Sequence, residues 1–320
     1  MFKTGMTEVF GIEHPIQCGT MQFLGRAELI AAVANAGALA CLPAATFPKR
    51  EDLLDEIKKV RDLTDKPFGV NISLFPALMP MPPEDMIQTV IDSGVKILET
   101  AGRNPEPYRR QIADAGLIHF HKCARVRDAA KMSRLGLDAV SIVGTECGGH
   151  PSMEKVTSLV LAPKAVDQVD IPLIAGGGFC DGRGLLAALA LGAAGVNMGT
   201  RFLATVECPL HPSIKERIVA ANEADTVLVM ESLKNPARVL KTPWSEKVLE
   251  MEAQGATLEE LMPMITGKLS RGGWTDGDIS QGIYPMGQAI GRVEDIPTVA
   301  ELVARIMQEA AEARERLNKL

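Results

Sequence analysis

The sequence predicts a (β/α)8 barrel, because eight short apolar runs alternate with helical patterns along the first two thirds of the chain. The runs are continuously apolar, which is typical of parallel strands covered on both faces. Their starts lie roughly 20 to 35 residues apart, a spacing that suits one strand and one helix per unit. The predicted strands span residues 15–18, 38–42, 67–73, 95–99, 117–122, 138–143, 171–175 and 194–198.

Helical patterns fill the intervals between these strands. Residues 50–63, 124–135 and 182–191 each place apolar side chains at helical spacing, and the first of them carries charged residues on the opposite face. An open doubly wound sheet is the alternative fold. That fold usually has a glycine-rich turn after its first strand. Here residues 18–22 (CGTMQ) follow the first strand and the glycines cluster after the last two, which favours the barrel.

Composition limits the class of protein. Of the 320 residues, 46% are hydrophobic and 23% charged, a balance that predicts a globular protein with a large core. The net charge of −6 and the absence of a basic cluster argue against a nucleic-acid partner. None of the six cysteines forms a CxxC pair and no signal peptide is recognisable, so we expect reduced thiols, no metal and a cytoplasmic location. The uncharged stretch 29–48 is broken by Asn35, Gly37 and Pro43, which predicts a buried helix and strand, not a membrane span.

The chain continues well beyond the eighth predicted strand. Residues 211–290 mix helix-forming residues with glycine and proline, which favours a small helical insertion over the barrel mouth, acting as a lid or substrate domain. Residues 297–318 have the pattern of a charged terminal helix. We therefore assign residues 1–210 to the barrel, completed by residues 291–320, and residues 211–290 to the insertion.

Two glycine-rich loops follow the last two predicted strands. The first contains Gly176, Gly177 and Gly178, and the second contains Gly199 and Thr200. Glycines let backbone N–H groups approach an anion closely, and the Thr200 hydroxyl adds a donor. Tight turns without a ligand are the alternative interpretation. Because barrels of this type often hold phosphate on these two loops, the pair predicts a phosphate site.

Ionisable side chains lie at the ends of strands five and six. His150 follows strand six in a loop rich in glycine, where an imidazole can exchange protons near neutral pH. Lys122 ends strand five, where its cation would lie at the barrel mouth; a solvated lysine is the alternative. His119 and His121 share one face of that strand without a third nearby ligand, so we expect roles in the core or in support of the site, not metal binding.

Further polar groups follow strands one and three. Thr20, Met21 and Gln22 can present backbone groups to a flat ring, and the Asn71 amide offers both a donor and an acceptor. The stretch 75–83 is rich in proline and apolar residues, which fits either a lid over the mouth or a rigid connector.

Several separate motifs, in matching order and spacing, resemble the nitronate monooxygenase family over nearly the whole chain. Within that family, the His-Lys-Cys stretch and the Glu-Cys-x-Gly-His-Pro stretch look most like the bacterial NADH:quinone reductases. The motifs are 11–16 (GIEHPI), 21–22 (MQ), 67–71 (PFGVN), 99–102 (ETAG), 121–123 (HKC), 146–151 (ECGGHP), 181–184 (DGRG) and 197–205 (NMGTRFLAT).

The resemblance implies FMN as the cofactor and NAD(P)H as a transient co-substrate. It places the FMN phosphate at Gly178, Gly199 and Thr200, in the loops already noted, and it makes His150 the active-site histidine. The residues expected to contact the ribityl chain or the ring are Thr20, Met21, Gln22, Asn71, Lys122 and Gly149.

The reaction favoured by these motifs is NAD(P)H:quinone reduction. In it a hydride passes from NAD(P)H to flavin N5, a quinone then takes two electrons, and His150 donates or relays the proton. Oxidation of alkyl nitronates with O2 and reduction of enoyl thioesters are the alternatives within flavin chemistry. A barrel that binds a phosphorylated ligand without flavin is the alternative outside it. A small-molecule substrate is expected in each case, and a homodimer is left open.

Overall fold

A computed structural model describes residues 2–75 and 81–320. Eight parallel strands form a closed barrel in which each strand pairs with the next and the eighth pairs with the first. This confirms the predicted (β/α)8 barrel, and every predicted strand agrees with the observed one to within about two residues at each end. The strands are β1 (Ile16–Cys18), β2 (Leu39–Pro43), β3 (Gly69–Ser73), β4 (Ile97–Ala101), β5 (Ile118–Cys123), β6 (Ala139–Val143), β7 (Leu173–Gly176) and β8 (Gly195–Met198).

Helices cover the outside of the barrel, as strands that are apolar on both faces require. Three of them match the helical patterns predicted at 50–63, 124–135 and 182–191. Among the helices of the described ranges, none combines the length and the apolar character needed to cross a bilayer. The helices are α1 (Gly5–Phe10), α2 (Ala27–Asn35), α3 (Arg50–Leu63), α4 (Pro83–Ser93), α5 (Arg109–Asp114), α6 (Val126–Arg134), α7 (Ser158–Val166), α8 (Gly182–Ala190), α9 (Thr200–Leu203), α10 (Pro212–Val219), α11 (Pro243–Ala253), α12 (Leu258–Ile265), α13 (Gly267–Asp276) and α14 (Val299–Leu317).

The short helix α1 closes the N-terminal end of the barrel. Its Met6 and Phe10 are buried in a cluster with inward side chains from the first halves of the strands. Phe10 meets Phe120 of β5 edge to face, with ring centroids 5.0 Å apart. Because this end is filled with apolar side chains, the barrel interior can hold a polar site only toward its other end.

Part of the region predicted to be helical contains a hairpin. Strands β9 (Thr226–Val229) and β10 (Ala237–Leu240) pair antiparallel to each other, separate from the barrel. The expectation of a purely helical insertion was therefore incomplete, although α10 to α13 are helical as predicted. β-branched residues dominate β9, which suits a strand better than a helix. The boundaries of the insertion as a separate domain stay a prediction.

The terminal helix α14 packs on the outside of the barrel against α8 and α2. Gly182, the first residue of α8, lies directly against the backbone of Ile306 and Ala310, so a larger residue would push the two helices apart. The Gly182 N–H also donates to the Glu309 carboxylate at 2.8 Å. The start of α8 thus depends on the last helix of the chain.

The two histidines of β5 point away from the barrel interior. His119 Nε2 and His121 Nδ1 each lie 2.8 Å from the Thr100 hydroxyl of β4. Burial lowers the pKa of His119 to about 3 and that of His121 to about 4, so both rings are neutral near pH 7. Both therefore belong to the layer between the strands and the outer helices.

Candidate active site

The C-terminal end of the barrel is polar inside, in contrast to the end closed by α1. Side chains alternate along each strand, so those that share a face with the interior residue Phe120 of β5 point inward. Residues 76–80, in the stretch predicted to be either a lid or a rigid connector, lie outside the described residues. The inward polar side chains near this end are Gln17, Asn71, Glu99, Lys122, Ser141 and Asn197.

The two predicted phosphate loops lie side by side. Gly176 of β7 pairs with Asn197 of β8, so Gly178 and Gly199 stand two residues beyond a paired position on neighbouring strands. Within the described residues, the backbone N–H groups of Gly178, Gly199 and Thr200 have no hydrogen-bond acceptor. Free N–H groups on adjacent turns are suited to an anion. We call Gly178, Gly199 and Thr200 the cradle.

Space above the cradle is open, whereas the glycines before it are packed. A Cβ atom on Gly199 would meet nothing within 4 Å, and one on Gly178 would make only ordinary contacts with Glu146. In contrast, a Cβ on Gly176 would lie 2.9 Å from a Val143 methyl, and one on Gly177 would lie 2.7 Å from the Ser158 hydroxyl. Gly176 and Gly177 therefore have a packing reason to be glycine, and the room for a ligand is at the cradle.

A segment near the end of the chain joins the cradle to the loop that carries His150. The Gly287 N–H donates to the Thr200 hydroxyl at 2.9 Å, which leaves the hydroxyl proton available for a ligand. The next N–H, of Gln288, donates to the Glu146 carbonyl at 2.9 Å. Sequence analysis did not single out this segment, although it fixes both loops relative to each other.

A buried carboxylate organises the side of the mouth formed by β1 and β3. Glu99 of β4 is fully buried and accepts hydrogen bonds from the Thr20 hydroxyl at 2.6 Å and the Asn71 amide at 2.6 Å. The Gln17 amide donates to its other oxygen at 3.0 Å. Two predicted cofactor contacts, Thr20 and Asn71, are thus brought together by a residue whose own role sequence analysis missed.

The two other residues predicted after β1 have separate local roles. The Met21 carbonyl accepts hydrogen bonds from the N–H groups of Leu24 and Gly25 and so forms a turn. The Gln22 amide donates to the Ala45 carbonyl at 3.2 Å, away from Glu99. The backbone of this turn follows directly on Thr20, at the rim of the barrel mouth.

Lys122 provides positive charge inside the mouth. It is half-buried at the end of β5 and pairs in register with Ser141 of β6. It forms no ion pair with any carboxylate of residues 2–75 and 81–320. A half-buried ammonium group without an anionic partner is a candidate to bind negative charge on a ligand.

His150 stands in the loop after β6, and its proton can be placed. Its Nδ1 lies 3.1 Å from the carbonyl of Pro236, which can only accept, so Nδ1 carries the hydrogen and Nε2 is free. The His150 side chain is exposed to water at one side. Burial of the rest of the ring excludes water and lowers the pKa of His150 below its usual value. The carbonyls of Pro236 and Asn235 oppose this shift, and the Lys122 cation adds to it.

The hairpin holds the His150 loop in place. Gly149 and Arg238 of β10 exchange two backbone hydrogen bonds, of 3.1 and 2.7 Å. The buried Arg238 guanidinium also donates to the Thr145 carbonyl at 2.8 Å and to the Thr226 hydroxyl at 3.1 Å. Gly149 was predicted to contact the cofactor, and nothing lies within 4 Å of a Cβ placed on it. Sequence analysis missed Arg238, since an arginine inside a short apolar run gives only a weak signal.

The fold is that of a barrel enzyme, and the free N–H groups of the cradle, a half-buried lysine and a neutral imidazole lie at the C-terminal ends of its strands. The chain belongs to the nitronate monooxygenase family, whose model matches residues 3–309. It is accordingly a flavin-dependent oxidoreductase.

Relatives and solved structures agree with this assignment. The (3aS,4S,5R,7aS)-5-hydroxy-7a-methyl-1-oxo-octahydro-1H-indene-4-carboxyl-CoA dehydrogenase of Rhodococcus jostii is 32% identical, and the match covers 99% of this chain and 98% of that one. A probable nitronate monooxygenase of Bacillus subtilis is 32% identical over 77% of this chain and 81% of its own. The structure of FabK from Thermotoga maritima is 38% identical, covers 100% of this chain and 99% of its own, and superposes with a TM-score of 0.92.

Replacing Arg238 by lysine is expected to loosen the His150 loop. Lysine keeps the charge but cannot direct two donors at Thr145 and Thr226 as the planar guanidinium does. Losing one such bond, worth about 1 to 1.5 kcal/mol, should raise amide exchange in residues 144–150 by about tenfold. Hydrogen-exchange mass spectrometry measures this. Arg217→Lys, which changes only a surface pair with Asp225, is the control, and equal exchange in both variants would contradict the role of Arg238.

Proposed function

We propose that this protein is an FMN-dependent NAD(P)H:quinone reductase. The proposal is supported by the C-terminal end of the barrel, where Lys122, His150 and the cradle lie at or just after the ends of the neighbouring strands β5 to β8. When bound, FMN supplies two-electron chemistry by taking a hydride from NAD(P)H and passing it to the acceptor. The motifs around Lys122 and His150, which resemble those of bacterial NADH:quinone reductases, favour a quinone as that acceptor.

The residues of the mouth fit a flavin mononucleotide. One cradle made by two adjacent loops suits a single terminal phosphate, which FMN carries. The chain has no glycine-rich dinucleotide motif after its first strand, which supports FMN over FAD and a transiently bound NAD(P)H. The free N–H groups of Gly178, Gly199 and Thr200 would bind the phosphate, with Gly176 and Gly177 shaping the loop.

The other side chains have distinct roles in this proposal. Thr20, Met21, Gln22, Asn71 and Gly149 line the space for the ribityl chain and the ring. The Lys122 cation, which has no carboxylate partner within the described ranges, would be available to stabilise negative charge on a bound flavin. His150 delivers the proton that the reduced acceptor requires. Cytoplasmic location and oligomeric state stay predictions.

Anaerobic stopped-flow spectroscopy tests the proposal. Protein loaded with FMN should lose its yellow absorbance when mixed with excess NADH or NADPH. The absorbance should return when a benzoquinone is added in a second mixing step. Flavin that stays oxidised with both nucleotides would contradict the proposal.

An acyl thioester of coenzyme A is the second candidate substrate. The relative from Rhodococcus jostii is named as a dehydrogenase of a carboxyl-CoA, and it matches this chain from end to end. The neutral His150, with Nε2 free to accept a proton, also suits removal of a proton next to a thioester carbonyl. Reduction of the flavin by a saturated acyl-CoA, but not by NAD(P)H, would favour this candidate. Reduction by propionate 3-nitronate alone would favour nitronate oxidation.

The pH dependence of quinone reduction should report on His150. Because the pKa of His150 is lowered, its protonated form is the minor one at pH 7 and grows as the pH falls. A step that needs a proton from His150 should therefore slow by about tenfold per pH unit above that pKa, which lies below 6.5. The rate of flavin reoxidation by quinone between pH 5 and 8 measures this. A rate that rises with pH would instead indicate that the imidazole acts as a base.

A further inference from the structure

Glu99 is a buried carboxylate at the base of the barrel mouth. It has no exposed surface, and none of the ion pairs within residues 2–75 and 81–320 includes it. Its partners are the Gln17 amide, the Thr20 hydroxyl and the Asn71 amide, at 3.0, 2.6 and 2.6 Å. Three donors thus stabilise the carboxylate in place of a cation.

The carboxylate determines which way its neighbours face. The Asn71 NH2 group and the Thr20 hydroxyl both donate to the same carboxylate oxygen of Glu99, Oε2. The opposite end of the Asn71 amide is then the carbonyl oxygen Oδ1. The orientation of the Asn71 amide is therefore fixed by Glu99, which is itself buried and out of reach of a ligand.

The carbonyl oxygen of Asn71 is available to a ligand. Oδ1 forms no hydrogen bond to any described residue, yet it is not sealed inside the protein. The Oε1 atom of Gln17 differs, because it lacks a partner and is also closed off. An accessible acceptor at the mouth favours a ligand that brings an N–H donor to it.

We infer that Glu99 is a positioning residue that makes Asn71 present an acceptor, and not a donor, to the bound cofactor. The inference rests on the proposed function, since an isoalloxazine ring supplies the N–H donor. Replacing the carboxylate by a carboxamide removes the constraint, because a glutamine at this position can donate to the Asn71 oxygen and let the amide reverse. The mouth would then present NH2 to the N–H group of the ring.

Glu99→Gln tests this with readouts other than turnover. We expect the dissociation constant of FMN to rise by about tenfold or more, because one hydrogen bond is lost and two donors then face each other. The absorption spectrum of the bound flavin should shift as well. Thr100→Val is the matched control, because Thr100 is buried next to Glu99 on β4 but faces His119 and His121. It should lower the melting temperature and leave FMN affinity and spectrum unchanged.

A double-mutant cycle with Asn71→Leu separates a specific effect from general damage. If Glu99 acts through Asn71, the double variant should bind FMN no more weakly than Asn71→Leu alone. Equal FMN affinity and spectrum in wild type and Glu99→Gln would overturn the inference but leave the proposed function standing. If Glu99→Gln does not fold, unchanged FMN binding by Asn71→Leu overturns it as well. Wild-type protein that binds no FMN would contradict both.

Discussion

His150→Ala is expected to retain FMN and to lose quinone-reducing turnover by between about 100- and 10,000-fold. The imidazole donates through Nδ1 to the Pro236 carbonyl and leaves Nε2 free, so its removal takes away the proposed proton-transfer group. The cradle lies on other loops and does not depend on the ring. Steady-state turnover and the flavin content of the purified protein measure the two effects separately.

His150→Gln is the companion variant. Its amide can still donate to Pro236, but it does not titrate between pH 5 and 8. We expect it to be as slow as His150→Ala and to have a flat pH profile. If glutamine restores turnover, the imidazole only supports the loop; if either variant loses FMN, His150 acts in cofactor retention instead.

Gly199→Ala is expected to weaken FMN binding on the order of 100-fold. Gly199 has φ −93° and ψ −67°, which alanine adopts without strain, and its added methyl would meet no protein atom within 4 Å. The methyl would instead occupy the room proposed for the phosphate. Loss of about two charge-assisted hydrogen bonds, worth roughly 3 kcal/mol together, corresponds to that change. Titration of apoprotein with FMN, followed by flavin fluorescence, gives the dissociation constant.

Gly272→Ala in α13 is the matched control for this variant. It is another glycine with room for a methyl group, since the nearest atom is an Asp276 oxygen at 4.0 Å. We expect it to leave FMN affinity unchanged and to stabilise the fold by about 0.5 to 1 kcal/mol, as alanine does in a helix. If Gly199→Ala binds FMN as tightly as Gly272→Ala does, the phosphate lies elsewhere.

Most of the barrel was predictable because its strands are continuous apolar runs bounded by turn residues. The hairpin β9–β10 was not, because its connecting loop has no glycine at its left-handed positions. Met230 and Lys234 adopt left-handed conformations there, with φ of 64° and 53°, where a glycine would have indicated a turn. The N–H groups of Met230 and Ser232 both donate to Glu252 of α11. Tertiary contacts therefore stabilise the conformation of this loop, which the local sequence does not specify.

In the candidate site, too, the features with a local sequence pattern were predictable and those that depend on tertiary contacts were not. Glycine-rich loops predicted the cradle, since backbone approach to an anion leaves a local pattern. Glu99 and Arg238 each lie within short apolar runs and act on residues distant in sequence, so no spacing rule finds them. An ionisable residue inside an otherwise apolar strand is only a weak signal, and it is the one signal that both residues carry.

The hydrogen bond between Gly287 and Thr200 and the packing of α14 on α8 both join early parts of the chain to parts that are synthesised last. All eight barrel strands leave the ribosome before residue 287 exists. Until that residue and the final helix arrive, Thr200 lacks its partner and the start of α8 lacks the Glu309 carboxylate. The proposed phosphate site and the helix beside it therefore gain these contacts only after residue 287 and α14 have been synthesised.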